Sequence, residues 1–405
     1  MRDVAILGAG MTRFGKFLDR GLKELSSEAV TAALQASGID KKALEVAVVG
    51  NAAAGLVTGQ ECVRAQVVLR EMGIDKIPMV NAENACASSS TAFQVGWLYV
   101  ASGMYDVALV LGVEKLYSED KAKTMAAFSG AVDVEQLREI MQRLKPPSEQ
   151  KEGQESGAGK SRSLFMDIYG AAARAHMQKY GTTKEQFARV AVKNHENGSL
   201  NPHAQYQERY TLEEILASPM ISEPLTRLMC APIGDGAAAA VLMSADKARQ
   251  HTTKPVLVRG SALVSGSDDR DAGNVNARSA QRALEMAGMT PRDVNVIEVH
   301  DATAPAELLL YEDLGLCPEG EGGRLIDEGV TEIGGRLPVN TSGGLLAKGH
   351  PVGATGVAQI CEIWQQLCGK AGERQVAGAK VGMTQNGGGM VRGEAAATAV
   401  HVLSV

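Results

Sequence analysis

Val80-Asn81-Ala82-Glu83-Asn84-Ala85-Cys86-Ala87-Ser88-Ser89-Ser90 is one of two stretches that decide the fold, and Gly349-His350-Pro351-Val352-Gly353-Ala354-Thr355-Gly356 is the other. Each follows a short β-like run that ends in Val-Asn and precedes a helical pattern. Cys86 and His350 are therefore predicted at strand-to-helix turns. Helix N-termini carry partial positive charge and spare N–H groups, which favour a thiolate over a thiol. The two stretches predict a cysteine nucleophile and its histidine base.

The strand-like runs occur twice in the same order, which indicates an internal duplication. They begin near residues 4, 46, 78, 107 and 236 in the first half and near 256, 296, 337, 379 and 393 in the second. Helical patterns such as 22–37 and 277–287 alternate with them, so we predict an α/β fold of two pseudo-symmetric doubly wound halves. The first half covers 1–116 and 220–253, and the second covers 254–405. A pseudo-twofold axis would bring the Cys86 and His350 turns together.

Residues 117–219 have no counterpart in the second half and are predicted to be an inserted loop domain. Their charged segment 145–153 is predicted to be a solvated loop, and helical patterns follow at 163–180 and 183–197. Long insertions in compact enzymes are often lids or binding loops. An oligomerisation or surface element is the alternative.

Composition excludes several classes of protein. The six cysteines have no Cys-x-x-Cys spacing, which argues against a structural zinc site or a disulfide framework and favours a cytoplasmic location. The N-terminus shows no signal-peptide pattern, and no apolar stretch is long enough to span a membrane. A net charge of −6 argues against nucleic-acid binding.

Cysteine suits acyl transfer between thiols, because the thioester it forms is close in energy to the thioester it consumes. Taken alone, Cys86 would more often be a small buried apolar residue than a nucleophile, but its small neighbours permit a tight turn and close substrate approach. His300 follows the β-like run 296–299, where it could donate a hydrogen bond to a thioester oxygen; alternatively, His300 or Asp301 caps the next helix. The turn Gln385-Asn386-Gly387-Gly388-Gly389 offers backbone N–H groups to an oxyanion.

These motifs resemble those of the thiolase superfamily over nearly the whole chain, most closely the sterol-carrier-protein-type thiolases and their bacterial and archaeal relatives. The other matching stretches are Lys193-Asn194-His195, Asn201-Pro202, Pro224-Leu225-Thr226, Asp235-Gly236-Ala237-Ala238 and His300-Asp301. The resemblance implies that Cys86 accepts the acyl group, that His350 activates Cys86, and that His300 holds a thioester oxygen. It further implies a second oxyanion hole made by the amides of Cys86 and Gly387.

The resemblance also implies a five-layered αβαβα fold and a homodimer or dimer of dimers. Coenzyme A would be a cosubstrate, with no permanently bound cofactor and no metal. Most thiolases carry a second cysteine as acid/base, but Gln385 and Ala302 occupy the two places where it is found. His300, His350 or a water must then move the proton at Cα. Some relatives work with a small subunit that carries a zinc ribbon and an oligonucleotide-type barrel, which implies a similar partner here.

The function expected from this resemblance is reversible thiolysis of a 3-oxoacyl-CoA through an acyl-Cys86 intermediate. Decarboxylating condensation of the ketoacyl-synthase type and a non-catalytic acyl-CoA-binding subunit are the alternatives. Relatives include acetoacetyl-CoA thiolases and enzymes that cleave aromatic 3-oxoacyl-CoA esters, among them benzoylsuccinyl-CoA thiolase.

Overall fold

The computed structural model describes residues 1–143 and 162–405, so the predicted loop 145–153 lies outside the described residues. Nine strands within these residues form one mixed sheet, and two more form a separate pair. The strands are β1 (Val4–Met11), β2 (Val46–Gly50), β3 (Met79–Ala82), β4 (Val107–Glu114), β5 (Met220–Ser222), β6 (Leu225–Thr226), β7 (Gly236–Ser244), β8 (Val256–Ser265), β9 (Val296–Glu298), β10 (Val381–Gly388) and β11 (Ala397–Ser404).

The order of strands in the sheet shows the duplication. It is β3-β2-β4-β7-β1-β8-β11-β10-β9, so the two halves meet at the antiparallel pair β1–β8 and run outward in corresponding order. Strand β3 has only a reduced counterpart, a parallel bridge between Ile297 and Val339. The predicted run at 337–340 stops there because Asn340 has a φ of 56°, which ends the extended conformation.

Helices connect the strands and agree closely with the predicted patterns; for example, 22–37 forms a helix with these bounds. No helix in the described parts of the chain is long and apolar enough to cross a membrane. The helices are α1 (Leu22–Ser37), α2 (Ala54–Thr58), α3 (Arg64–Glu71), α4 (Ser88–Ala101), α5 (Lys121–Ser129), α6 (Leu137–Arg143), α7 (Leu164–Tyr180), α8 (Lys184–Ser199), α9 (Leu212–Ala217), α10 (Ala245–Ala248), α11 (Val275–Ala287), α12 (Ala304–Asp313), α13 (Gly322–Asp327), α14 (Gly344–Lys348) and α15 (Thr355–Leu367).

The expected five layers follow from how the helices pack. Helices α4 and α15 contact strands of both halves and form the central layer, while α1 and α11 cover the outer faces of the first and second halves. Phe93 and Trp97 of α4 pack with Ile360 and Trp364 of α15 in the central apolar core. Burying the central helices on both sides explains why their N-terminal turns, which carry Cys86 and His350, lie in the interior.

Candidate active site

The structure brings Cys86, His300 and His350 together from different parts of the chain. Cys86 lies in the short turn 85–87 before α4, His350 lies between α14 and α15, and His300 lies two residues after the end of β9. One side-chain atom of each lies within 4.8 Å of the others, and the two imidazole rings are nearly perpendicular at 82° with centroids 5.1 Å apart. A sulfur and two imidazoles therefore share one small space.

A strained turn and a glycine run hold Cys86 in this position. Ala85 adopts a φ of 48°, in the left-handed region that non-glycine residues rarely occupy. Gly388 packs against the same turn so closely that a Cβ at this position would lie 2.1 Å from the carbonyl oxygen of Asn84. The backbone N–H of the next residue, Gly389, lowers the pKa of the Cys86 thiol. The glycine-rich turn thus forms a wall against the nucleophile.

Burial controls the charge of the Cys86 sulfur. It raises the pKa of the thiol to about 12, although the amides of Gly389 and of Cys86 itself act in the opposite direction. The backbone amides at the helix N-terminus do favour the thiolate, as the sequence predicts, but desolvation of the sulfur outweighs them. The resting group is a neutral thiol and needs a base.

His350 is placed to be that base. Burial, and next the nearby His300, hold the pKa of the His350 imidazole well below its ordinary value, so the ring is neutral at pH 7. Its Nδ1 lies 2.7 Å from Oγ1 of Thr355, and that hydroxyl donates to the carbonyl oxygen of Pro351 at 3.1 Å. With its own hydrogen on the Pro351 carbonyl, the hydroxyl accepts a hydrogen bond from Nδ1–H of His350, which leaves a lone pair on Nε2.

His300 is held from two directions. Its backbone N–H donates to Oε1 of Gln385 at 3.0 Å, and its Nδ1 lies 2.9 Å from Nδ2 of Asn386. Burial lowers the pKa of the His300 imidazole to about 4, so this ring is also neutral at pH 7. Gln385 thus fixes the backbone of His300 through its side-chain carbonyl.

Of the two predicted cap residues, Asp301 and not His300 caps a helix. Its carboxylate accepts from the backbone N–H of Leu345 at 2.7 Å and of Leu346 at 3.3 Å, and so caps α14 rather than α12. Helix α12 begins after Thr303 without a side-chain cap. Because α14 leads directly into the His350 turn, Asp301 ties the His300 and His350 segments to each other.

The three side chains open into a cavity of about 780 Å³, within the range of about 300–1,000 Å³ typical of ligand sites. Its apolar wall comes from α5, α7 and the glycine turn and consists of Met125, Phe128, Phe165, Met166, Ile168 and Met390. Its polar wall consists of His195, Tyr206, Tyr210 and Arg227. Gly387, predicted to lend an amide to an oxyanion, also lines the cavity.

Sequence reasoning missed Thr355 and Tyr169, and it named Asn386 and Gly389 only as part of a turn that offers backbone N–H groups. Thr355 lies inside the quoted His350 motif, where the pattern presents it only as part of a glycine frame, and the role of the Asn386 side chain was not foreseen. Tyr169 lies in α7 and lines the cavity, and burial raises the pKa of its hydroxyl. Helix periodicity could not have shown which face of α7 covers the nucleophile.

A half-buried cysteine at the start of a central helix lies beside two neutral histidines, an arrangement suited to acyl transfer. The chain belongs to the thiolase family: the family model "Thiolase, N-terminal domain" matches residues 4–246, and "Thiolase C-terminal domain-like" matches 263–404.

Similar proteins support the same family. The chain is 41% identical to an acetyl-CoA acetyltransferase of Methanothermobacter thermautotrophicus over the full length of both chains. It is 36% identical to sterol carrier protein 2 of Bos taurus, covering 95% of this chain and 69% of that protein. Among solved structures, an "Ltp2-ChsH2(DUF35) aldolase" is 25% identical with a TM-score of 0.79, covering 100% of this chain and 98% of that chain.

Proposed function

We propose that the protein catalyses CoA-dependent retro-Claisen cleavage of a 3-oxoacyl-CoA, and the reverse condensation, through an acyl group on Cys86. The observation that carries this proposal is the sulfur of Cys86 within 4.8 Å of two neutral imidazoles at the base of one cavity. The acyltransferase names of relatives that match the whole chain support it.

In the proposed first step, Nε2 of His350 takes the thiol proton as the Cys86 sulfur attacks the β-ketone carbon. Hydrogen-bond donors that line the cavity stabilise the negative charge on the ketone oxygen, and the Cα–Cβ bond then breaks. The proton now on His350 passes to Cα of the departing enolate, which leaves as acyl-CoA. His350 can therefore serve both proton transfers without a second cysteine.

In the second step, the thiol of coenzyme A attacks the thioester on Cys86. His350 takes the proton from coenzyme A and returns it to the Cys86 sulfur as the new acyl-CoA forms. In this scheme His300 holds a thioester oxygen, and the amides of Cys86 and Gly387 form the other oxyanion hole. Each bond made is matched by one broken, and His350 ends each cycle neutral.

Decarboxylating condensation is the second candidate, because a cysteine with two histidines also suits that reaction. Release of carbon dioxide from a malonyl thioester in the presence of an acyl primer would favour it. A non-catalytic acyl-CoA-binding role is disfavoured, since the sulfur and the base lie together.

The apolar wall supports a substrate with an acyl group larger than acetyl. It begins next to the nucleophile: Gly388 packs against the turn that carries Cys86, and the N–H of Met390, two residues on, donates to the carbonyl oxygen of Ala131. Half-buried apolar side chains that face a cavity gain most when an apolar group covers them. We infer that the acyl group lies on this wall.

A panel of 3-oxoacyl-CoA esters tests the function and its acyl preference together. With coenzyme A present, we expect benzoylacetyl-CoA and 3-oxooctanoyl-CoA to be cleaved with a kcat/KM about tenfold or more above that of acetoacetyl-CoA. Ala172→Trp, which adds bulk to the cavity lining on α7, should reduce this preference, whereas Met286→Trp on the exposed face of α11 should not. The two acyl-CoA products are measured by chromatography.

The outcomes separate the two claims. A preference for acetoacetyl-CoA would contradict the role of the apolar wall and leave the thiolase reaction standing. No cleavage of any ester, with or without a partner protein, would contradict the thiolase proposal itself.

Partners are also proposed. The name of the similar aldolase includes a DUF35 component, which supports a small partner subunit for this protein. We propose that this subunit is of the expected type, with a zinc ribbon and an oligonucleotide-type barrel.

A homodimer is supported by β3, an edge strand whose Met79, Val80 and Ala82 are only half-buried. The reduced cysteines are compatible with the proposed cytoplasmic location.

A further inference from the structure

Asn386 links the central helix to one of the two histidines through a chain of buried hydrogen bonds. The hydroxyl of Ser90, in α4, donates to Oδ1 of Asn386 at 3.0 Å. Nδ2 of Asn386 lies 2.9 Å from Nδ1 of His300. Ser90 and Asn386 are both fully buried, so water does not compete for these contacts.

The direction of this chain determines where the proton of His300 lies. An amide nitrogen can only donate, so Nδ1 of His300 must accept and carry no hydrogen. A neutral imidazole has one N–H, which must then be on Nε2. We propose that Asn386 is a positioning residue that holds His300 as the Nε2–H tautomer, a hydrogen-bond donor toward the substrate.

This inference rests on the proposed thiolase function and gives the two similar rings opposite roles. Thr355 leaves His350 with a lone pair on Nε2, which suits a base. Asn386 leaves His300 with a hydrogen on Nε2, which suits a donor to a developing oxyanion. Without this difference, two neutral imidazoles 5.1 Å apart could exchange roles.

Nitrogen NMR of protein labelled with ¹⁵N-histidine tests the tautomer without any activity measurement. His300, assigned from its missing signal in His300→Gln, should show a pyrrole-type Nε2 and a pyridine-type Nδ1 at pH 7. Its low pKa of about 4 keeps the ring neutral under these conditions. The reverse pattern would mean that Oδ1 of Asn386 faces the ring, and it would overturn the proposal even if the enzyme is an active thiolase.

Asn386→Asp tests the consequence for catalysis. A carboxylate at this position accepts from Nδ1–H, so the carboxylate–imidazole pair at pH 8 carries one negative charge and has no hydrogen on Nε2. We expect kcat to fall roughly 10²-fold or more at this pH. Adding one proton to the pair restores Nε2–H, so the activity of the variant should rise as pH falls, unlike that of the wild type. KM should change much less than kcat.

Asn276→Asp is the matched control, since Asn276 lines the same cavity and contacts Gln385 rather than either histidine. It should leave the His300 tautomer unchanged and show no recovery at low pH. Equal pH profiles for the two aspartate variants would show that added negative charge, and not the tautomer, causes the loss.

Discussion

Cys86→Ala lowers kcat for thiolysis by roughly 10⁵-fold, because alanine has no nucleophile and the acyl-enzyme route is lost. Binding of acyl-CoA is retained, because the cavity and both histidines remain. The measurements are turnover of a 3-oxoacyl-CoA with coenzyme A, and binding of the same ester by calorimetry.

Cys62→Ser is the control, since Cys62 is an exposed thiol outside the site motifs and outside the cavity lining. It should retain wild-type turnover. Near-normal thiolysis by Cys86→Ala, with binding unchanged, would contradict the assignment of the nucleophile.

His350→Asn produces the second large effect, a fall in kcat of about 10²–10⁴-fold, the usual contribution of a general base. The physical reason is the buried thiol: with a pKa of about 12, only a very small fraction of Cys86 is ionised at pH 7. Because the ionised fraction grows tenfold per pH unit below the pKa, kcat of the variant should rise about tenfold per unit from pH 7 to 9.

The wild type should show no such rise, because His350 is neutral throughout this pH range and removes the proton during attack. His251→Asn, which replaces an exposed histidine, should behave as the wild type. A His350→Asn variant whose rate does not depend on pH would show that another group deprotonates Cys86.

The duplicated fold could be predicted because each strand and helix carries its own local signal. The run at 22–37 matches α1, and the Cys86 and His350 stretches do precede the two central helices. The strand predicted at 337–340 is reduced to a bridge, since the left-handed conformation of Asn340 is not encoded in hydrophobic pattern.

The site could be predicted only in part, for a related reason. Duplication placed Cys86 and His350 in equivalent turns, so their proximity followed from symmetry. The contacts that set their protonation could not be predicted from symmetry. Asn386 contacts Ser90 across 296 residues of sequence, and burial of Cys86 depends on the packing of both halves. Local sequence shows a helix N-terminus but not the desolvation that outweighs it.

The central claim is that the acyl group is carried on the sulfur of Cys86. Mixing the enzyme with a 3-oxoacyl-CoA in the absence of free coenzyme A, quenching in acid and mapping peptides by mass spectrometry tests it most directly. We predict the mass of the acyl group on the peptide containing Cys86, lost again when coenzyme A is added before the quench. Turnover of the same ester with no acyl group on Cys86, or with the group on another residue, would contradict the account.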